Sequence, residues 1–208
     1  GRITEAKEAL KALLARGPDP ESQVRVQLIE AAETADAAAA AVGAARLKLA
    51  SDPKDVAALW VLAMASGRTP AGLAHLEAIL AIYPDFVPAK RHLVLHLYQD
   101  PSQDARTLQL GTQARELLRT DMELNRALGL VVFRSGDYRR ALGLLESSTD
   151  GFPKDAELWY YVGRCYQEVK QNTPAMEALN RALTLGLRGA PAEDAKTRLA
   201  ALGAPLER

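Results

Sequence analysis

Residues 154–187 read KDAELWYYVGRCYQEVKQNTPAMEALNRALTLGL, and the stretch of equal length before them, 120–153, reads TDMELNRALGLVVFRSGDYRRALGLLESSTDGFP. Laid one over the other, they place Asn125 on Trp159, Leu128 on Val162, Gly129 on Gly163, Val132 on Tyr166, Ala141 on Ala175, Leu145 on Leu179 and Ser148 on Ala182, every pair at one common offset. Prolines mark nearly the same period further upstream. Pro18, Pro53 and Pro84 follow one another at close to that spacing, and the step from Pro84 to Pro153 spans two periods, with Arg119 at the intermediate boundary. A period of about 34 residues is the mark of a helix-pair repeat. Small residues (Gly129, Gly163, Ala141, Ala175, Ala182) sit where two helices approach closely, and large ones (Trp159, Tyr166, Leu179) fill the remaining space. Proline closes each second helix, because it lacks a donor and clashes with the preceding turn. Ser135-Gly136-Asp137 reads as the turn within a pair, and Thr69-Pro70 and Thr173-Pro174 as cap-plus-first-turn starts of second helices.

These residues resemble the tetratricopeptide repeat (TPR) family, whose pattern is Trp-x-x-Leu-Gly-x-x-Tyr, then Ala-x-x-x-Phe, then Ala and Pro. Segment 154–187 carries Trp159, Gly163, Tyr166, Ala175 and Ala182 of that pattern, with Val162 and Leu179 in place of Leu and Phe. Segment 120–153 follows it nearly as well, and 85–119, 54–84 and 19–53 more loosely. The expected fold is all-α, a right-handed α-solenoid forming a single TPR-like domain over 1–208. It comprises five helix pairs, a half repeat at 3–18 and an amphipathic capping helix at 191–202, where Asp194, Lys196 and Arg198 alternate with Ala195, Leu199 and Leu202. The lone N-terminal helix reads as the remnant of an upstream repeat in a longer chain, or as a face that associates with another molecule or with itself.

Composition supports this reading. Of 208 residues, 38 are Ala and 32 Leu, against 11 Val and 4 Ile, a balance that favours helices and excludes a β-rich fold. The 26 basic and 26 acidic residues cancel, which argues against a dedicated nucleic-acid binder and against electrostatic attachment to anionic membranes. No apolar run reaches the length of a membrane span. The N-terminus lacks the layout of a signal peptide. One cysteine, Cys165, precludes an intrachain disulfide framework. The Ala- and Arg-rich usage looks bacterial, and the expected location is the cytoplasm or the periplasm and envelope, the sequence not separating them.

The resemblance implies a concave groove lined by first helices. Carried over residue by residue, it places there Arg25, Ile29 and Ala32; Trp60 and Met64; Arg91, Leu95 and Tyr98; Glu123, Arg126, Leu130, Phe133 and Arg134; and Glu157, Tyr160, Arg164 and Gln167. Arginine offers a planar fork to carboxylates and the aromatics offer area at low entropy cost, so a protein or peptide with acidic and apolar groups is the natural complement. The competing reading has the arginines pairing with neighbouring Asp and Glu. The family's terminal-carboxylate clamp is not expected, since the matching positions hold Arg25, Ile29 and His92.

No catalytic constellation, metal site or cofactor motif is legible. His92 and His96 have a chelating spacing but no completing carboxylate, and read as structural. His75 has no companion. Cys165 reads as a small packed side chain whose pKa Arg164 would lower were it exposed. Tyr166, among Tyr160, Tyr161 and Tyr166, is expected in the core. Gly43, Gly67 and Gly72 form no nucleotide loop, and Glu30 and Glu33 read as a solvated face. The expected function is therefore a non-enzymatic interaction scaffold without cofactor, part of a larger protein or assembly. The alternative is a regulatory or targeting region of an enzyme whose catalytic domain lies elsewhere. RNA binding is disfavoured by zero net charge and by Trp60, Leu95 and Leu130 in the groove.

Overall fold

The computed structural model describes residues 8, 9, 11–17, 19, 22, 23, 26 and 35–203. Among them every regular element is a helix: α1 (Ala35–Ser51), α2 (Val56–Ser66), α3 (Pro70–Ile82), α4 (Val87–Leu97), a short 3-10 turn (Pro101–Gln103), α5 (Asp104–Leu117), α6 (Met122–Arg134), α7 (Tyr138–Glu146), α8 (Ala156–Glu168), α9 (Asn172–Thr184) and α10 (Ala190–Gly203). By position in the chain, α2 and α3 lie within 54–84, α4 and α5 within 85–119, α6 and α7 within 120–153, and α8 and α9 within 154–187. The capping helix is α10. In segment 19–53, α1 is the second helix, and residues 22, 23 and 26 before it are helical. Of the half repeat expected at 3–18, residues 8, 9 and 11–14 are helical and 15–17 form a turn and bend, and the others lie outside the described residues. The chain divides into two compact units, Gly1–His96 and Leu97–Arg208.

In the first unit, α1 packs on α2 and α2 on α3, with Ala45, Ala58, Val61 and Leu62 at the contact between α1 and α2. In the second, α6 packs on α7, α7 on α8, α8 on α9 and α9 on α10. Two glycines set the separation within the pairs. A Cβ on Gly129 would lie 2.6 Å from Cδ2 of Leu145, and one on Gly163 would lie 2.7 Å from Cγ of Leu179 and 3.1 Å from its backbone nitrogen. Each leucine stands at the same offset from its glycine, so successive pairs repeat the same interlock. Leu145 and Leu179 are fully buried as a result.

Helix starts repeat as well. The tripeptide Pro-Lys-Asp opens α2 at 53–55 and α8 at 153–155, and the aspartate caps the helix each time. Asp55 accepts from Ala58 N at 2.7 Å, Asp121 from Leu124 N at 2.9 Å and Asp155 from Leu158 N at 3.0 Å, satisfying donors the first turn leaves open. Thr69 caps α3 with Pro70 in its first turn, as the dipeptide predicts. Thr173-Pro174 behaves differently. Helix α9 begins two residues earlier, at Asn172, and its N-cap Gln171 makes no side-chain bond. The preceding turn imposes this, because Lys170 adopts φ 65° and Gln171 N donates back to Tyr166 O. The residue one repeat earlier is Gly136, at φ 85°. The second helix of 120–153 also stops short of its proline: α7 ends at Glu146, and the hydroxyls of Ser147, Ser148 and Thr149 bond back to the carbonyls of Leu144, Leu145 and Glu146. Such bonds offer the backbone an alternative to helix continuation.

Replacing Gly163 by Ala drives a methyl against the Leu179 backbone and is expected to lower stability by about 1–3 kcal/mol in urea unfolding. Lys170→Gly relieves a left-handed conformation that costs an L-residue about 1 kcal/mol, and is expected to raise stability by up to that amount in the same assay.

Candidate functional site

The second unit contains a cavity of about 290 Å³ bounded by Tyr98, Gln99, Arg126, Leu130, Arg134, Glu157 and Tyr161. Its walls come from α6, α8 and the residues just after α4. Helix α6 presents Arg126, Leu130 and Arg134 at intervals of four, one stripe of its surface. Five of the sequence-predicted groove residues therefore meet here: Tyr98, Arg126, Leu130, Arg134 and Glu157.

The two arginines are already held by carboxylates. Arg126 Nε donates to Asp155 at 2.8 Å, its NH1 to the Tyr98 hydroxyl at 3.3 Å, and its NH2 lies 3.7 Å from Glu157. Burial opposes the charge on Arg126, but the Asp155 carboxylate and the Tyr98 hydroxyl outweigh it and hold the guanidinium above its ordinary range. Arg134 meets Asp104 through both prongs, Nε at 2.8 Å and NH2 at 2.5 Å, and donates to the Tyr98 carbonyl at 2.5 Å. The hydrogen bonds to Asp104 raise its pKa against the effect of burial. The cavity is thus electrostatically mixed, with fixed donors and the Glu157 carboxylate around Leu130. The Tyr161 hydroxyl is pushed up in pKa by burial and then by Glu157, so it is a neutral donor at ordinary pH. Asp155 has two tasks, capping α8 with one oxygen and anchoring Arg126 with the other.

The remaining groove expectations fare differently. Arg25, Ile29 and Ala32 lie outside the described residues, as do Glu30 and Glu33. Trp60 does not project outward: it is 3 % exposed and packs edge-on against Phe86 and His92, centroids 5.5 and 5.1 Å away. Leu95 is buried and Met64 and Arg91 are half-buried in the first unit. Phe133 is buried against Tyr138 and Tyr161, since its ring fills the space between neighbouring pairs. Tyr160 and Gln167 are engaged by the capping helix rather than open. The Tyr160 hydroxyl donates to Asp194 at 2.7 Å, and Gln167 accepts from Arg198 at 2.7 Å. Asp194 and Arg198 stand one repeat after Tyr160 and Arg164, so α10 takes the place of the next first helix. Arg164 lies over Phe133 at 4.8 Å and over Tyr160 at 5.7 Å, a cation–π arrangement.

Tyr166, expected in the core, is partly exposed, and its hydroxyl donates to Glu146, which pushes its pKa to about 12. Tyr160 is the buried member of the group. Cys165 is fully buried, and desolvation pushes the thiol to about 12 in spite of Arg164, so it packs as an inert apolar side chain. His92 serves as a ring partner of Trp60. His96 is held below its usual pKa by burial and then by Arg68. Among the described residues no group of three or more His, Cys, Asp or Glu is placed to hold a metal, and no helix is long and apolar enough to cross a membrane.

Gln99, Asp104 and Asp155 are the site residues that sequence reading did not single out. Asp155 carried a signal in the repeated Pro-Lys-Asp. Gln99 and Asp104 carried none, since they reach the site only through the turn between α4 and α5. The double task of Asp155 is separable. Asp155→Asn keeps a capping oxygen and loses the charge pairing; Asp155→Ala loses both. Urea unfolding is expected to show Asp155→Ala less stable than Asp155→Asn by about 1 kcal/mol, the worth of the cap.

Residues 132–204 match the sequence model of the tetratricopeptide repeat family. No curated protein matches the chain. Among solved structures, the chain is similar to YrrB, described as a TPR protein with an unusual peptide-binding site, at 18% identity and TM-score 0.61 over 92% of this chain and 99% of that one. It is also similar to MamA, at 19% identity and TM-score 0.55 over 74% and 89%, and to MamA of AMB-1, at 20% identity and TM-score 0.57 over 73% and 90%. These likenesses concern the fold, which is all-α and of the α-solenoid class. The Gly163-to-Leu179 interlock and the helix-pair period fall within the segment, residues 132–204, that matches the tetratricopeptide repeat family.

Proposed function

We propose that the chain is a non-catalytic protein-interaction scaffold and that the cavity around Arg126, Leu130 and Glu157 receives an extended peptide segment of a partner protein. The observation that carries this reading is the composition of the cavity wall. Preorganised donors from Arg126 and Arg134 and an acceptor on Glu157 surround one aliphatic side chain. An extended peptide presents the complement: alternating carbonyls and amides with side chains between them. The family match and the described peptide binding of YrrB support the reading in general terms.

The arginine pairing refines the chemistry of the partner. Asp155 and Asp104 hold Arg126 and Arg134 in place, so a partner carboxylate would share these guanidinium groups rather than meet them bare. A segment carrying an apolar side chain for Leu130, with an acidic or carbonyl oxygen beside it, fits the wall. Because such pairs are partly desolvated, reversing one charge leaves like charges facing each other, and the cost falls on binding at that spot.

Affinity capture with the whole chain as bait tests the proposal. Arg126→Gln combined with Glu157→Lys is expected to reduce recovery of the partner taken by the unmodified chain by about tenfold or more, the effect of losing charged hydrogen bonds. Circular dichroism confirms that the variant remains helical. Recovery unchanged in a folded variant would remove the cavity from the binding surface.

A further inference from the structure

A second and larger cavity, about 560 Å³, lies between the second helices α5 and α7, with Leu128 of α6 beneath it. Four arginines bound it: Arg115 and Arg119 from α5 and the residues that follow it, and Arg139 and Arg140 from α7. One carboxylate, Glu116, faces them. Among the described residues none of the four forms a salt bridge with a carboxylate, in contrast to Arg126 and Arg134. In a chain of zero net charge, this is a local excess of three positive charges.

The cluster is held in place by neutral groups. Asn125, 1 % exposed, accepts from Arg115 Nε at 2.7 Å through its side-chain oxygen and donates to the Arg119 carbonyl at 3.0 Å through its amide nitrogen. Arg140 NH2 donates to the Thr112 hydroxyl at 3.3 Å. These contacts orient two guanidinium groups while neutralising neither. Repeat comparison within the chain shows that the arginines are not demanded by the fold. One repeat on, the places of Arg115, Arg119, Arg139 and Arg140 are held by Thr149, Pro153, Thr173 and Pro174, and that of Asn125 by Trp159. The Trp159 ring there is covered by Arg181 at 3.9 Å, and its indole N–H donates to Pro153 O, the equivalent of the Arg119 carbonyl. One repeat fills this position with an aromatic ring; the other replaces the ring with a small amide and surrounds the space with arginine. Gly143 is in the wall, and a Cβ there would meet nothing within 4 Å, so the space beside it is open.

We infer that the cleft between α5 and α7 is a binding site for a small ligand carrying two or more phosphate groups. Arginine forks bind phosphate oxygens bidentately, and a diphosphate offers enough oxygens to engage several forks at once, which a single carboxylate does not. The cavity volume falls in the range of small-molecule pockets, and Leu128 and Leu144 supply an apolar floor.

Calorimetric titration of the whole chain at low ionic strength, with inorganic pyrophosphate and with a nucleoside diphosphate as probes, tests the assignment. Saturable binding is expected for at least one probe, and the ratio of their affinities distinguishes free from organic diphosphate. Arg119→Gln with Arg139→Gln is expected to weaken it by about tenfold or more, while Arg188→Gln, outside the cleft, leaves it intact. Gly143→Leu removes no charge, fills the cleft and favours the helix, so it is expected to lose binding without loss of thermal stability. Absence of binding by both probes, or binding unchanged in Gly143→Leu, overturns the site. Binding of an acidic unphosphorylated peptide at the same place with equal affinity overturns the phosphate assignment.

Discussion

Within the pairs of the C-terminal unit, helices close on each other where a glycine of one receives a leucine of the other. Gly129 takes Leu145 and Gly163 takes Leu179, at separations no larger residue in the glycine's place permits. Everything placed above these contacts inherits their spacing. Because the interlock recurs with the repeat, the stripe formed by Arg126, Leu130 and Arg134 on α6 stands beside Glu157 and Tyr161 on α8, and a cavity opens between them. Buried leucine supplies the hydrophobic stabilisation, and glycine decides the distance over which it acts.

A repeat architecture multiplies positions that are equivalent in geometry and free to differ in chemistry. Position 126 is arginine, position 160 tyrosine and position 194 aspartate, and the three have different partners: Asp155, Arg164 with Asp194, and Arg198. Helix α10 keeps the first-helix register and uses Asp194 and Arg198 to bind Tyr160 and Gln167, which satisfies polar groups of α8. The same freedom explains why Asn125 and Trp159, which occupy one position in two repeats, leave an arginine-lined cleft in one case and a filled contact in the other.

The arginines show how a shared residue type separates into roles. Arg126 and Arg134 are neutralised and pointed by carboxylates that lie far from them in sequence, Asp155 and Asp104. Arg164 and Arg181 lie over aromatic rings. Arg115 and Arg140 are oriented by uncharged partners. A basic residue paired with a carboxylate is chiefly a positioned donor, whereas one oriented by an amide or hydroxyl retains its full charge for a ligand.

Helix content and the helix-pair period were legible in the letters, because glycine, alanine and proline impose local steric rules that recur at fixed offsets. Part of the candidate site was legible for the same reason: a stripe at every fourth position on α6 brings Arg126, Leu130 and Arg134 to one side whatever they touch. Whether a side chain on such a stripe stays open, pairs or is buried was not. Trp60 and Phe133 occupy first-helix positions and went into the core, Tyr160 was covered by a helix one repeat later, and Tyr166 came to the surface to meet Glu146. Those outcomes depend on residues brought close by packing between pairs, where the nearest neighbour in space is about one repeat away in the chain. Local sequence determines the helices; only the tertiary structure decides which of their faces meet.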